Sequence, residues 1–400
     1  MAHPRVTGRR LAHASLRARL TIVPGSICDV LPAAAALLGA PGVVDPLGLS
    51  ESVDVDQVDR VAVLLVDGLG WHLLPKLVGD APLLASVLAG GDGRLEQLVC
   101  TFPSTTPSSL VSLGTGAQPG EHGILGFTLN IPGTDRVLNH IRWRDDPPHA
   151  EWQPLPTWFE RLTRAGFGAR AVLPEWLVGS GLTDAAYRGA RLCPTRTADD
   201  YAQRLTNELD AAPGLVYGYT AELDTAAHVF GIGSDHWHDA GARIDVLLTR
   251  LVEALPRNAA LLVTADHGGL NVPANARVDF DTDPRLRAGV RVVAGEPRVR
   301  YLHTEPGAAA DVVATWSELL GGCANVQTRE EAVATGIFGP MSPRHLPRVG
   351  DVVVTCTSDA AVLATGHEPP ETARLIGFHG GATAVEMAIP LIVFNAVSRG

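Results

Sequence analysis

Val61-Ala62-Val63-Leu64-Leu65-Val66-Asp67-Gly68 is an unbroken apolar run, rich in β-branched residues, that stops on a carboxylate and a glycine. A strand buried on both faces reads this way, because a strand covered on one face only alternates apolar and polar residues. The same grammar recurs along the chain. Leu95 to Thr101 leads into Ser104-Thr105-Thr106, Leu215 to Tyr219 into Glu222 and Asp224, and Ala260 to Thr264 into Asp266-His267-Gly268-Gly269, while Ala169 to Leu173 is a further apolar run. Between them Trp158 to Ala165, Ala198 to Leu209 and His238 to Leu255 read as helices, the last with Ile244, Leu247, Leu248, Leu251 and Leu255 along one face. This alternation predicts an α/β fold, with a mostly parallel central sheet and helices on both faces. From Leu270 to about Thr365 the rhythm loosens into Pro- and Gly-punctuated short strands and one helix, Ala308 to Leu320, before a strand-like close at Ala388 to Phe394. We therefore expect a single domain over residues 1–400 with a small inserted cap near 270–365.

Bulk properties narrow the function. Hydrophobic residues make up 46% of the chain and charged ones 19%, the profile of a globular protein with a sizeable core. The net charge is −11, with no Lys/Arg run interleaved with aromatics, which argues against a nucleic-acid polymer as partner. An anionic substrate then needs local attraction, which bound dications supply inside an acidic protein. Met1 to Leu20 carries Arg5, Arg9, Arg10, Arg17 and Arg19 without an apolar block long enough for a secretion signal, and no run elsewhere spans a bilayer. The expectation is a cytoplasmic protein with no membrane partner. Cys28, Cys100, Cys193, Cys323 and Cys356 lie far apart and form no CxxC pair, so they read as buried thiols. Nothing in the sequence sets the oligomeric state.

Open α/β sheets place their ligand sites beyond the carboxyl ends of the strands, so the four polar strand ends should face one crevice. Asp224 and His228, four residues apart, share one helical face on which a metal can bind both. Phe378-His379-Gly380-Gly381 offers another imidazole between small neighbours. Each piece has a bland reading: Asp67-Gly68 and Asp266-His267 as turns, Asp224 and His228 as a surface pair, His379 as a satisfied loop histidine. Convergence of six metal-competent side chains beside a hydroxyl cluster favours the functional one. Oxygen and imidazole donors suit Zn2+ or Mn2+. Thr106 should open a helix, Pro107 to Leu113, placing its hydroxyl at the positive dipole end that welcomes phosphate. Three adjacent hydroxyls also read as a helix cap, so Thr105 and Ser104 stand as rivals. His236-Trp237-His238 reads as the start of a helix capped by Ser234 or Asp235 rather than as a further metal site.

At these residues the chain resembles the alkaline phosphatase superfamily, in its type I phosphodiesterase and nucleotide pyrophosphatase branch, from about Arg60 to Val393. The matching parts are Leu-Leu-Val-Asp67-Gly, Thr101-Phe-Pro-Ser-Thr-Thr106, Ser112-Leu-Gly-Thr-Gly116, Glu121-His-Gly-Ile124, Asp224-Thr-Ala-Ala-His228, Asp266-His267-Gly and His379. The resemblance implies a hydrolase of small phosphate esters or nucleotides with two divalent metal ions, usually zinc. It puts the nucleophile at Thr106, with a phosphothreonine intermediate. One metal falls to Asp224, His228 and His379, the other to Asp67, Thr106, Asp266 and His267. Where the family carries an Asn that holds a phosphate oxygen, this chain has Ser109, whose hydroxyl can donate one hydrogen bond. Pro107 stands where bacterial alkaline phosphatases place an Arg, leaving Arg142 and Arg144 as substitutes or as plain solvated side chains. A sulfatase is disfavoured by the wrong spacing in Cys193-Pro-Thr-Arg. A phosphomonoesterase of the same superfamily and a catalytically silent, metal-bound scaffold are the alternatives.

Overall fold

The computed structural model describes residues 25–51, 53 and 58–395; the Arg-rich stretch Met1 to Leu20 lies outside them. Among the described residues no helix is long and apolar enough to cross a membrane. The principal strands are β1 (Arg60–Val66), β2 (Arg94–Val99), β3 (Ala169–Pro174), β4 (Arg191–Thr195), β5 (Gly214–Thr220), β6 (Ala259–Thr264), β7 (Val290–Glu296), β8 (Val299–Thr304), β9 (Ala324–Thr328), β10 (Val352–Cys356) and β11 (Ala388–Asn395). Seven of them form one sheet in the order β2-β11-β6-β1-β5-β3-β4. β1 pairs in parallel with β5 and β6, and β3 with β5 and β4, while β11 runs antiparallel between β6 and β2. Six strands thus point their carboxyl ends the same way, as the sequence predicts.

Continuous apolar runs explain why β1, β5 and β6 are central. Every residue from Val61 to Val66 is buried, as is all of β5 and β6. Each such Val or Leu contributes roughly 1.5–3 kcal/mol by leaving water. The main helices are α1 (Thr106–Thr115), α2 (Ala198–Ala211), α3 (Glu222–Phe230), α4 (Asp235–Glu253) and α5 (Ala309–Leu320). α2, α3 and α4 pack together on one side of the sheet; α1 packs with Val30–Leu37, Trp158–Arg164 and Gly181–Tyr187. α4 begins at a cap, with the Ser234 hydroxyl accepting from the Trp237 N–H at 3.2 Å. Trp237 is buried and His238 pairs with Asp80 at 2.9 Å, so the His-Trp-His cluster is the start of a helix.

α1 holds its position by a close approach. A Cβ at Gly114 would lie 2.0 Å from the Ala186 carbonyl oxygen, so only glycine lets α1 pack this near Gly181–Tyr187. Between residues 290 and 356 a second sheet, β7-β8-β10-β9, is antiparallel throughout. α5 and Phe280, Leu286, Leu302, Trp316 and Val354 give it a core of its own. It is tied to the main body where the Thr128 hydroxyl donates to the Gly295 carbonyl (2.8 Å) and the Tyr301 hydroxyl to that of Leu125 (2.7 Å). One cysteine departs from expectation. Cys323 is exposed in the turn after α5, whereas the other four are buried.

A group of histidines is buried away from any ion pair, beside the Arg348 guanidinium, which stacks 3.6 Å from the Trp152 ring. Burial pushes His122 well below the ordinary imidazole value and His140 down to about 4. His140 is held neutral between the Gly126 carbonyl, which accepts from Nδ1 at 2.9 Å, and the Trp152 indole, which donates to Nε2 at 3.0 Å. A histidine whose folded pKa is depressed takes up its proton only on unfolding, so its contribution is lost as pH falls below the unfolded value of 6.5 toward about 4. In chelator-treated protein, His140→Gln should therefore cost most at pH 7 and progressively less at pH 5, read as the unfolding free energy in urea. A penalty independent of pH would contradict this reading. Gly114→Ala should lower the melting temperature despite the ~1 kcal/mol that alanine gains in helix propensity. An unchanged or raised Tm would show that α1 can move away from Ala186 at no cost.

Candidate metal centre

All seven residues singled out in the sequence as metal ligands meet at the carboxyl end of the main sheet. Asp67 follows β1 directly, and its N–H continues the ladder to the Thr220 carbonyl of β5 at 2.9 Å. Asp266 stands two residues beyond β6. Its Oδ1 accepts the N–H groups of Gly68 and His267, each at 3.1 Å, which ties the β1 and β6 ends together. Asp224 and His228 lie on one face of α3, with Oδ2 and Nε2 3.2 Å apart. His379 arrives on the loop before β11, and its ring stacks on His267 at 3.6 Å and 13°.

The three imidazoles are oriented alike. Nδ1 of His228 donates to the Gly377 carbonyl (2.8 Å), that of His267 to Gly268 (2.9 Å) and that of His379 to Ser104 (2.9 Å). Each backbone acceptor takes the Nδ1 proton and turns Nε2 inward, the orientation of metal-binding histidines. Nε2 of His228 and of His379 face each other at 3.2 Å, and Nε2 of His267 lies 3.4 Å from both Asp67 Oδ1 and Asp266 Oδ2. Two groups result, Asp224 with His228 and His379, and Asp67 with Asp224 and His267, each within 4.8 Å. Asp224 belongs to both, which the sequence did not disclose.

Electrostatics support a cation here. Asp67 Oδ1 and Asp266 Oδ2 are buried and accept no hydrogen bond. Burial, together with neighbouring carboxylates, raises Asp67 well above the ordinary range, and burial raises Asp266. Asp224 and His228 stand at the open side, their side chains 16% and 24% exposed. Burial would lower His228, yet its pairing with Asp224 carries it up to about 9. Burial and the adjacent His267 push His379 well down. Buried carboxylate oxygens without donors, facing imidazole Nε2 atoms, form a donor set that fits divalent cations, which would displace the protons these groups otherwise hold.

The hydroxyl cluster sorts itself by contact. Thr106 is the first residue of α1, after Thr105 as N-cap, and Pro107 takes the next position. Thr106 Oγ1 lies 3.2 Å from His267 Nε2. Ser104 Oγ donates to the Gly381 carbonyl at 2.7 Å and Thr105 faces the Glu296 carboxyl, so among the three only Thr106 meets an imidazole. Ser109 departs from expectation. It is wholly buried and its one hydroxyl proton goes to the Asp266 carbonyl at 2.7 Å, which leaves none to donate to a phosphate oxygen. Arg142 and Arg144 are exposed, the solvated alternative.

Sequence reading missed Tyr219. Its hydroxyl donates to Asp67 Oδ2, occupying that oxygen and leaving Oδ1 to face His267. As the end of an apolar strand it reads only as a buried aromatic. It also missed Arg298 and Glu386, an ion pair lying directly behind the histidines. A cavity of about 1110 Å3 is lined by Tyr201, Tyr219, Glu222, Thr225, Phe230 and Arg243 among others. It is lined by none of the seven residues and by none from 270–365, and it adjoins the cluster through Tyr219 and the first turn of α3.

Comparison with known proteins places the fold and the family. Residues 61–382 match the family model described as type I phosphodiesterase / nucleotide pyrophosphatase. An uncharacterised pyrophosphatase/phosphodiesterase of Schizosaccharomyces pombe is 23% identical over 250 residues, covering 57% of this chain and 48% of its own length. The chain thus spans about half of that curated relative. Among solved structures, murine ectonucleotide pyrophosphatase / phosphodiesterase 5 is similar with a TM-score of 0.67 at 19% identity, covering 83% of this chain and 87% of that one. Phosphonoacetate hydrolase from Sinorhizobium meliloti, solved with phosphonoacetate, gives 0.62 at 19% identity, covering 85% and 90%. With a match running from β1 through His379, the chain belongs to the type I phosphodiesterase / nucleotide pyrophosphatase family.

Proposed function

We propose that this chain hydrolyses phosphate diesters, nucleotides among them, through a covalent phosphothreonine at Thr106 in a site holding two divalent cations, with zinc as the favoured ion. The observation that carries this reading is the contact of Thr106 Oγ1 with His267 Nε2 at the start of α1, beside the unpartnered oxygens of Asp67 and Asp266. Asp224, His228 and His379 would hold one cation; Asp67, Asp266, His267 and Thr106 the other. When bound, such ions lower the pKa of a coordinated hydroxyl or water and neutralise charge building on the phosphoryl oxygens.

The residues supply the rest. Thr106 loses its hydroxyl proton to solvent, and Oγ1 attacks phosphorus in line. The Oγ1–P bond forms as the bond from phosphorus to the first alcohol breaks, and that alcohol leaves with a proton from water. Water then attacks the phosphothreonine, the Oγ1–P bond breaks, and Thr106 regains its proton. With the Ser109 hydroxyl committed to Asp266, the donors left for a phosphoryl oxygen are first-turn amides of α1, those of Thr106 and Ser108, which helix geometry leaves without intrahelical partners. Arg142 and Arg144 lie in solvent, so no guanidinium from that stretch awaits a dianionic phosphate, which supports a diester over a monoester. An inactive variant of the murine relative was solved with AMP, in keeping with a nucleotide as one substrate.

Zinc-loaded protein should cleave bis-p-nitrophenyl phosphate faster than p-nitrophenyl phosphate. Thr106→Ala should reduce that rate by about 10^3-fold or more, and chelation should abolish it until zinc is restored. Turnover that survives Thr106→Ala would remove the nucleophile; zinc binding with no turnover of either ester would leave the silent scaffold. Tyr219→Phe keeps the ring but frees Asp67 Oδ2. Zinc affinity, read by competition with a chromophoric chelator, should fall about 10-fold or more with the melting temperature of the metal-free protein little changed. Parent-like affinity would show that Asp67 is oriented without Tyr219.

A further inference from the structure

Behind the histidines lies an ion pair that no step above uses. Arg298, in the turn between β7 and β8, and Glu386, just before β11, are both wholly buried. The guanidinium grips the carboxylate with two bonds, Nε to Oε1 at 2.8 Å and Nη2 to Oε2 at 2.7 Å. Its Nη1 donates to the carbonyls of Ser358 and Ala360. Glu386 also accepts the Gly381 N–H at 2.8 Å and the Thr383 hydroxyl at 2.6 Å, so its side chain holds the loop that carries His379. Its main-chain carbonyl accepts the Gly268 N–H at 2.8 Å, which holds the turn that carries His267. One residue therefore fixes the backbone beside both stacked imidazoles.

The second sheet presses on the same loop at another point. Gly380 has φ +117°, and a Cβ there would lie 2.8 Å from the Glu296 Cδ at the end of β7. At Gly381 a Cβ would come within 2.6 Å of Glu386 Oε2. The β7–β8 turn is thus the floor on which the His379 loop sits. Stability alone does not explain the ion pair, because apolar residues of similar volume do as well or better in such places. An apolar pair lacks the acceptors that the Gly381 amide and Thr383 hydroxyl need, and with them the fixed geometry of the histidines.

We propose that Glu386, held by Arg298, is a positioning residue for the dication site, setting the Nε2 atoms of His379 and His267, so that residues of the second sheet govern metal affinity from behind the ligands. This rests on the dication reading given above. Partners of this kind, which touch the ligands' supports rather than the metal, typically alter metal affinity 10- to 100-fold.

The test is a zinc titration against a chromophoric chelator, on full-length protein, with the melting temperature of the metal-free form measured in parallel. Glu386→Gln keeps one acceptor and the volume but loses the charge, and Arg298→Lys keeps the charge but loses the fork. Glu386→Gln combined with Arg298→Gln removes both charges together and so avoids stranding one of them. Zinc affinity should drop about 10-fold or more in Glu386→Gln and in the double variant, and by less in Arg298→Lys, while the double variant melts within a few degrees of the parent. Folded variants that bind zinc as tightly as the parent overturn the proposal and leave the dication reading standing. A parent protein that binds no dication overturns both. Should Glu386→Gln fail to fold, the double variant and Arg298→Lys decide by the same measure.

Discussion

Two wholly enclosed carboxylates, Asp67 and Asp266, each with one oxygen that accepts no hydrogen bond, are the constraint around which the rest of the molecule is built. A buried acid without donors either gives up its charge or meets a cation. The histidines around the gap spend their Nδ1 protons on backbone carbonyls and turn Nε2 inward. That arrangement is unfavourable by itself, and it persists because the scaffold over-determines it. Parallel strands deliver Asp67 and Asp266 from neighbouring positions in the sheet, and the Gly68 amide locks one to the other. α3 brings Asp224 and His228 to the open side, where partial exposure lets water or substrate approach.

Much of this was legible because it is local. An apolar run that ends in Asp-Gly announces both a central strand and a carboxylate at its tip, and β1 carries Asp67 as that pattern requires. Asp224 and His228 share a helical face by spacing alone. What escaped the sequence depends on partners far along the chain. Tyr219 and Asp67 are separated by 152 residues, Arg298 and Glu386 by 88, and no periodicity connects them. Ser109 shows the opposite case. Its position in a motif suggests a phosphate contact, and the structure turns its hydroxyl toward the Asp266 carbonyl. A side chain's identity fixes what it can donate, and only the packing around it fixes to whom.

The Ser109 bond also fixes Thr106, the proposed nucleophile. A helix is a rigid ruler of about 1.5 Å per residue, so the place of Thr106 is set by whatever holds α1 further along. Ser109 ties the first turn of α1 to the main chain of Asp266, and Gly114 seats the last turn against Ala186. The helix is pinned at both ends, one of them to the backbone of the candidate ligand Asp266. Thr106 Oγ1 then reaches His267 Nε2 with no side-chain cap at its own terminus to hold it.

The second sheet takes part in this same arrangement. Its separate core of Phe280, Leu302 and Trp316 makes it a stable body, and its β7–β8 turn enters the main body beneath the His379 loop. A loop carrying a lone imidazole is otherwise a poor element on which to fix a side chain, because loops are mobile unless tied down. Arg298 and Glu386 tie it down, with Gly380 and Gly381 allowing the approach. The stretch that sequence rhythm marks only as irregular therefore has a physical role that its composition does not reveal. It supplies a rigid floor to His379, which lies on a loop rather than at the end of a parallel strand or on a helix that follows one.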